Sequence, residues 1–154
     1  MDLLDTMPGF ACHSGVQCLD MDGTAGTNAS GAGTISRGFS GVANRTYTVT
    51  FWYSGSRRNS AESMSVTLGD SVLELSDIPA NQGWTQGSVS YTMPNIDTSF
   101  VLTFSHAGAD NIGLLLDDVV VTDNLRTSVP EPASLALTGA ALALAGLARR
   151  RRLG

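Results

Sequence analysis

The chain has 154 residues, which is enough for one domain with its own hydrophobic core and no need for disulfides or metals to hold it together. Residues 1–128 carry 13 acidic residues against five arginines, a net charge of −8, whereas residues 129–154 carry Glu131 against four arginines, a net charge of +3. Because an acidic body repels phosphate, we predict no nucleic-acid partner for it, and the basic end indicates a segment of another kind.

The N-terminal part contains both cysteines of the chain, Cys12 and Cys18, with five residues between them. In an oxidising periplasm this pair is suited to a disulfide, whereas in a cytosolic protein both would be plain thiols, and the sequence leaves both options open. The two histidines, His13 and His106, have no other ligand-type residue at metal-site spacing except Asp110. The sequence therefore favours loop positions for both histidines over a zinc site.

An alternation of apolar and polar residues with a period of two runs through the middle of the chain. In TYTVTFWY, residues 46–53, it places Tyr47, Val49, Phe51 and Tyr53 on one face and three threonines with Trp52 on the other. The same pattern, between turn-forming stretches, predicts strands over 34–39, 46–53, 63–69, 71–76, 85–93, 99–105 and 114–122. Short strands with no amphipathic helix among them predict an all-β fold, an antiparallel β-sandwich over residues 1–126.

Two tryptophans are candidate platforms for a sugar ring. Trp52 lies on the threonine-bearing face of its predicted strand, and Trp84 lies in a Gly-Trp turn. A flat exposed ring can stack on the apolar face of a pyranose, whereas packing in the core or at a sheet edge is the alternative for each.

Asp117 and Asp118 adjoin in the predicted strand LLLDDVVV. In a strand of alternating faces, one of two neighbours must point the same way as the buried side chains. A carboxylate that faces the core is costly unless it accepts hydrogen bonds or binds a cation. We therefore consider a structural calcium ion, with further oxygen ligands from Asp20, Asp22 or backbone carbonyls, and hydrogen bonds to loop amides as the favoured alternative.

Residues 127–154 form a tail of three successive parts. Pro130-Glu131-Pro132 comes first, followed by the uncharged segment ASLALTGAALALAGLA over residues 133–148 and then by Arg149, Arg150, Arg151 and Arg152. As a helix the apolar segment would be about 24 Å long, somewhat short of a hydrocarbon core of about 30 Å. Because it is apolar all round and runs directly into arginines, we predict a membrane-inserted helix with a cytoplasmic end rather than a core helix.

The order and position of these three parts resemble the PEP-CTERM sorting signal of Gram-negative bacteria. The resemblance implies that an exosortase, a membrane-embedded cysteine peptidase, cuts the tail while it is held in the inner membrane. It further implies export to the cell surface or into an exopolysaccharide matrix. The two prolines fit this interpretation, since they make the stretch before the helix stiff and extended.

The main body resembles a second family through GVQCLDMDGT, GTISRGF, TYTVTFWYSG, the Gly83-Trp84 pair and LLLDDVVV. These stretches, over roughly residues 15 to 125, are similar to the choice-of-anchor C family of secreted proteins. The resemblance implies a jelly-roll or galactose-binding-like sandwich with a binding or matrix role. The first ten residues, MDLLDTMPGF, lack the features of a secretory signal peptide, so we expect either a start codon placed too late, which we favour, or a fragment.

The sequence contains no G-x-S-x-G, H-E-x-x-H, P-loop or Cys-x-x-Cys motif, so we predict no enzyme activity. The main prediction is an exported surface or matrix protein associated with exopolysaccharide or biofilm. One alternative is a carbohydrate-binding module for soluble or wall glycans, and another is a hydrolase with an unrecognised site.

Overall fold

A computed structural model of the chain describes residues 1–6, 11–22, 33–108 and 112–124. The regular structure in these ranges is β-strand, and this part of the chain contains no helix long and apolar enough to cross a membrane. The predicted tail over residues 127–154, with its helix over 133–148, lies outside the described residues. That helix therefore stays a prediction.

The described residues form nine strands in two antiparallel sheets. The strands are β1 (Asp2–Asp5), β2 (Gln17–Asp20), β3 (Thr34–Gly41), β4 (Thr46–Ser54), β5 (Glu62–Leu68), β6 (Ser71–Ile78), β7 (Thr85–Thr92), β8 (Thr98–His106) and β9 (Leu115–Asp123). One sheet has five strands in the order β1-β2-β9-β4-β7, and the other has four in the order β3-β8-β5-β6. All pairings between neighbours are antiparallel.

The hydrophobic core lies between the two sheets and consists of every second residue of the central strands. In β4 these residues are Tyr47, Val49 and Phe51, and the Phe51 ring meets the ring of Phe104 from β8 edge to face, with centroids 5.1 Å apart. Full burial of an aliphatic or aromatic side chain stabilises a fold by about 1.5–3 kcal/mol. The alternation in the sequence thus fixes which face of each strand turns inward.

The predicted antiparallel β-sandwich is confirmed, and each of the seven predicted strands is present with ends within two residues of the prediction. Strands β1 and β2 were not predicted, because four residues give the alternation too few repeats to be recognised. They are held by pairing: β1 pairs with β2 along its whole length, and β2 pairs with Leu115 and Leu116 of β9.

Candidate functional site

The outer face of the five-stranded sheet carries a strip of hydroxyl side chains. The outward positions of β4 are Thr46, Thr48, Thr50 and Trp52. The Thr46 hydroxyl lies 2.9 Å from that of Thr92, and the Thr48 hydroxyl lies 2.8 Å from that of Ser90, both across the pairing with β7. We call this group the hydroxyl strip, which consists of Thr46, Thr48, Thr50, Ser90 and Thr92. Trp52 lies at one end of it on the same strand face.

A β-bulge interrupts β9 beside Trp52. The pairing of β4 with β9 shifts register between Thr50, which pairs with Val120, and Trp52, which pairs with Asp117. β9 therefore has one residue more than β4 at this point, and the strand accommodates it at Asp118, which has a φ of 48°. This left-handed conformation is one that aspartate adopts more readily than most residues. Both aspartates are half-buried and bond to the loop over the outer face. The expectation that one of them must face the core is therefore wrong, because it assumed an unbroken strand.

The two aspartates hold a loop that comes from the N-terminal part of the chain. One oxygen of Asp118 lies 2.6 Å from Nδ1 of His13, and the Ser14 hydroxyl donates to the other at 2.5 Å. The Ser14 backbone N–H donates to Asp117 at 3.1 Å, and the Asp118 N–H also donates to Asp117, at 2.8 Å. The hydrogen bond from Ser14 and then that from His13 lower the pKa of Asp118, because both favour the ionised carboxylate.

A disulfide closes the same loop. It joins Cys12 to Cys18, whose Cα atoms are 5.4 Å apart, and both cysteines are buried. Within the loop, Gly15 has a φ of 59°, which favours glycine and allows the chain to turn back towards β2. The disulfide and the two aspartates thus together hold His13 and Ser14 in place.

His13 brings the two tryptophans into one aromatic cluster. Its imidazole stacks on the Trp52 ring with centroids 3.8 Å apart and an interplanar angle of 15°, and it meets Trp84 at 5.9 Å and 66°. The indole N–H of Trp84 donates to the carbonyl of Ala11 at 3.0 Å. One face of Trp52 is therefore covered by His13, and the two tryptophans belong to one half-buried cluster with His13 instead of being two separate open rings. Their role as a sugar platform stays a prediction.

The four carboxylates of the predicted calcium set do not fit a single ion. Asp20 is wholly buried, with one oxygen paired to the Arg58 guanidinium and the other accepting the N–H of Asp22 at 3.0 Å. Asp117 and Asp118 are instead hydrogen-bonded to the His13–Ser14 loop. Within the described ranges, no three His, Cys, Asp or Glu side chains form a group that could hold a metal ion. The geometry favours the hydrogen-bond alternative, so we predict that calcium leaves the stability of the protein unchanged.

Residues 128–152 match the family model of the PEP-CTERM protein-sorting motif. The chain therefore carries a PEP-CTERM sorting motif. The matched range includes the Pro130-Glu131-Pro132 stretch and the arginines at positions 149–152, as the sequence resemblance predicted. Such a motif implies export and sorting to the cell surface. The sequence matches none of the curated proteins with which it was compared.

The sandwich is similar to solved carbohydrate-binding modules. The structure titled "Family 16 Carbohydrate Binding Module-2" has a TM-score of 0.50 at 13% identity and covers 73% of this chain and 80% of that chain. A family 35 module from Clostridium thermocellum has a TM-score of 0.48 at 14% identity, with 72% and 81% covered. A family 35 module from an environmental isolate has a TM-score of 0.46 at 25% identity, with 80% and 94% covered. The first similarity supports the predicted jelly-roll-like fold, and at this identity it supports the fold alone.

Proposed function

We propose that this chain is an exported surface protein whose sandwich binds neutral polysaccharide on the outer face of the five-stranded sheet. The site consists of the hydroxyl strip and the aromatic cluster of His13, Trp52 and Trp84. Delivery depends on the tail, which an exosortase cuts after export, and the bound polysaccharide is the exopolysaccharide of the surrounding matrix.

The observation that carries this proposal is the position of the aromatic cluster at the end of the hydroxyl strip on one accessible sheet face. Sugars combine hydroxyl groups with apolar C–H faces, so a surface that recognises them needs both hydrogen-bonding and aromatic groups. A single net hydrogen bond contributes only about 1 kcal/mol in water, so a strip of several hydroxyls suits a polymer with repeated contacts. The aromatic cluster supplies the apolar contact that hydroxyls alone lack.

The charge of the site favours a neutral glycan. Asp117 and Asp118 lie beside the aromatic cluster, and both carboxylates are negatively charged at neutral pH. Residues 1–128 together have a net charge of −8. Glycans rich in uronate, sulfate or phosphate groups would be repelled both locally and at longer range. A neutral polymer of hexoses carries no charge that these carboxylates could repel.

The proposal is tested by calorimetric titration of the full chain, kept in a polyoxyethylene detergent that contains no sugar, with neutral and anionic polysaccharides. Thr48→Val removes one hydroxyl of the strip and should weaken binding about fivefold, the equivalent of one net hydrogen bond. Trp84→Ala removes an aromatic contact and should weaken it about thirtyfold. Thr67→Val is the matched control, because Thr67 is equally half-buried and outward-facing but lies on β5 of the other sheet.

Equal losses for Thr48→Val and Thr67→Val would contradict the proposed site even if Trp84→Ala disturbed the fold. Failure of every neutral polysaccharide to bind would contradict the function itself. The same titrations distinguish this proposal from the alternative, a carbohydrate-binding module for soluble or wall glycans. Such a module should bind short defined oligosaccharides tightly.

A further inference from the structure

A short loop crosses the outer face of the five-stranded sheet at one end. The loop runs from Ala11 to Ser14, and its contacts fall on three neighbouring strands. The carbonyl of Ala11 accepts the indole N–H of Trp84, which directly precedes β7. His13 stacks on Trp52 of β4, and Ser14 bonds to both aspartates of the bulge in β9. Because these strands adjoin in the order β9-β4-β7, the loop spans the full width of the face that carries the hydroxyl strip.

The sheet face is covered beyond this loop. Outward positions of β4 alternate up to Trp52, and the next position of the same parity is Ser54, which is wholly buried. The disulfide between Cys12 and Cys18 and the bonds from Ser14 fix the loop in this position. The hydroxyl strip is therefore closed at its Trp52 end.

The described residues leave the opposite end of the strip accessible. The strip ends there at Thr46 and Thr92, and Thr92 is exposed, as are residues 94–97 in the turn that follows β7. From Thr46 to Trp52 the strip is about 20 Å long, whereas the three strands together are only about 10 Å across. A polymer that makes contacts over the whole strip must therefore lie along the strands, and its path ends at the loop.

The last row of outward side chains before the loop contains an amide. Gln86 pairs with Trp52 between β7 and β4, so the two side chains project from the same face. Gln86 is exposed, and its amide has both a hydrogen-bond donor and an acceptor. An internal sugar carries a glycosidic oxygen at each linkage, and this oxygen can accept a hydrogen bond but cannot donate one. A terminal sugar has a hydroxyl in that place, which can donate to the Gln86 oxygen as well.

We propose that the site binds the end of a polysaccharide chain and not its interior. The terminal sugar lies at the closed end, against the aromatic cluster and Gln86, and the sugars behind it follow the hydroxyl strip towards Thr92. This end recognition rests on the proposed function, to which it adds the part of the polymer that is bound. Each polysaccharide chain then offers a fixed number of attachment points for this protein, however long the chain is.

Calorimetric titration of the full chain, in the same sugar-free detergent, tests end recognition with linear neutral polysaccharides of defined length. The probes are a glucan, a mannan and a galactan, each in fractions that differ in length but are all much longer than the strip. For a polysaccharide that binds, the number of protein molecules bound per polysaccharide chain should stay constant as the chains become longer.

A number of bound protein molecules that rises in proportion to chain length would overturn end recognition and leave the proposed function intact. That result would mean that the polymer lies across the strands or passes over the loop. Failure of all three polymers to bind would contradict the proposed function and end recognition together, so the two failures are distinguishable.

Two variants test the part assigned to Gln86. Gln86→Ala should weaken binding to chain ends about fivefold, the equivalent of one net hydrogen bond. Gln17→Ala is the matched control, because Gln17 is also an exposed amide of the same sheet but lies on β2, opposite Asp5 of β1. The control should leave the affinity unchanged. Equal affinities of Gln86→Ala and Gln17→Ala would overturn the assignment of the terminal hydroxyl to Gln86.

Discussion

Replacing Cys12 and Cys18 by serine should reduce stability and glycan binding together. The disulfide closes a loop of seven residues, 12 to 18. The entropy that such a closure removes from the unfolded chain corresponds to about 2.3 kcal/mol at 25 °C. For a compact unit that runs from Met1 to Asn124, the melting temperature should fall by roughly 7–14 °C.

The same change should weaken polysaccharide binding, because the loop carries His13, whose imidazole stacks on Trp52. Differential scanning calorimetry of the full chain, with and without reductant, measures the stability change. The double serine variant is its own control, since reductant should not alter its melting. A wild-type melting temperature that stays constant while thiol titration shows complete reduction would refute the reasoning. Unchanged glycan affinity in the reduced protein would refute the role assigned to the loop.

Three further predictions concern the carboxylates and the tail. The pKa of Asp118 is lower in the folded state than in the unfolded chain, where it is about 3.9. The ionised carboxylate therefore contributes its full stabilisation above that pH, and this stabilisation is lost as the pH falls through the lower pKa of the folded state. Asp118→Asn should therefore destabilise the protein at neutral pH and make melting less sensitive to acid, as followed by circular dichroism. Calcium and a chelator should give the same melting curve, because the predicted ligands are not grouped; a rise of roughly 8–15 °C with calcium would instead establish a metal site. Co-expressed with an exosortase, the wild type should lose its tail, whereas replacement of Pro130, Glu131 and Pro132 by alanine should preserve the full mass in intact-mass spectrometry; identical masses would contradict sorting by this motif.

The strands could be predicted from the sequence because the alternation in segments such as TYTVTFWY directly records which side chains are buried. The bulge at Asp118 could not, since a change of register depends on how β9 pairs with β4 and not on β9 alone. With the bulge unknown, the alternation gave Asp117 and Asp118 opposite faces, whereas the structure bonds both to one loop.

The tryptophans were identified as candidates from the sequence, but the residue that joins them was not. His13 is 105 positions from Asp118, and no local pattern links two residues so distant. The one available signal was the Cys12–Cys18 pair, since a closed loop that contains His13 restricts where its ring can lie.

Intrinsic tryptophan fluorescence tests the central claim most directly. The chain has only two tryptophans, and both belong to the aromatic cluster, so any fluorescence change reports on this site. Titration with a neutral polysaccharide that binds should produce a saturable change in emission and should shield the two rings from acrylamide quenching, with smaller effects for anionic polysaccharides. Binding that is measurable by calorimetry but leaves both emission and quenching unchanged would place the glycan elsewhere on the protein and contradict the account.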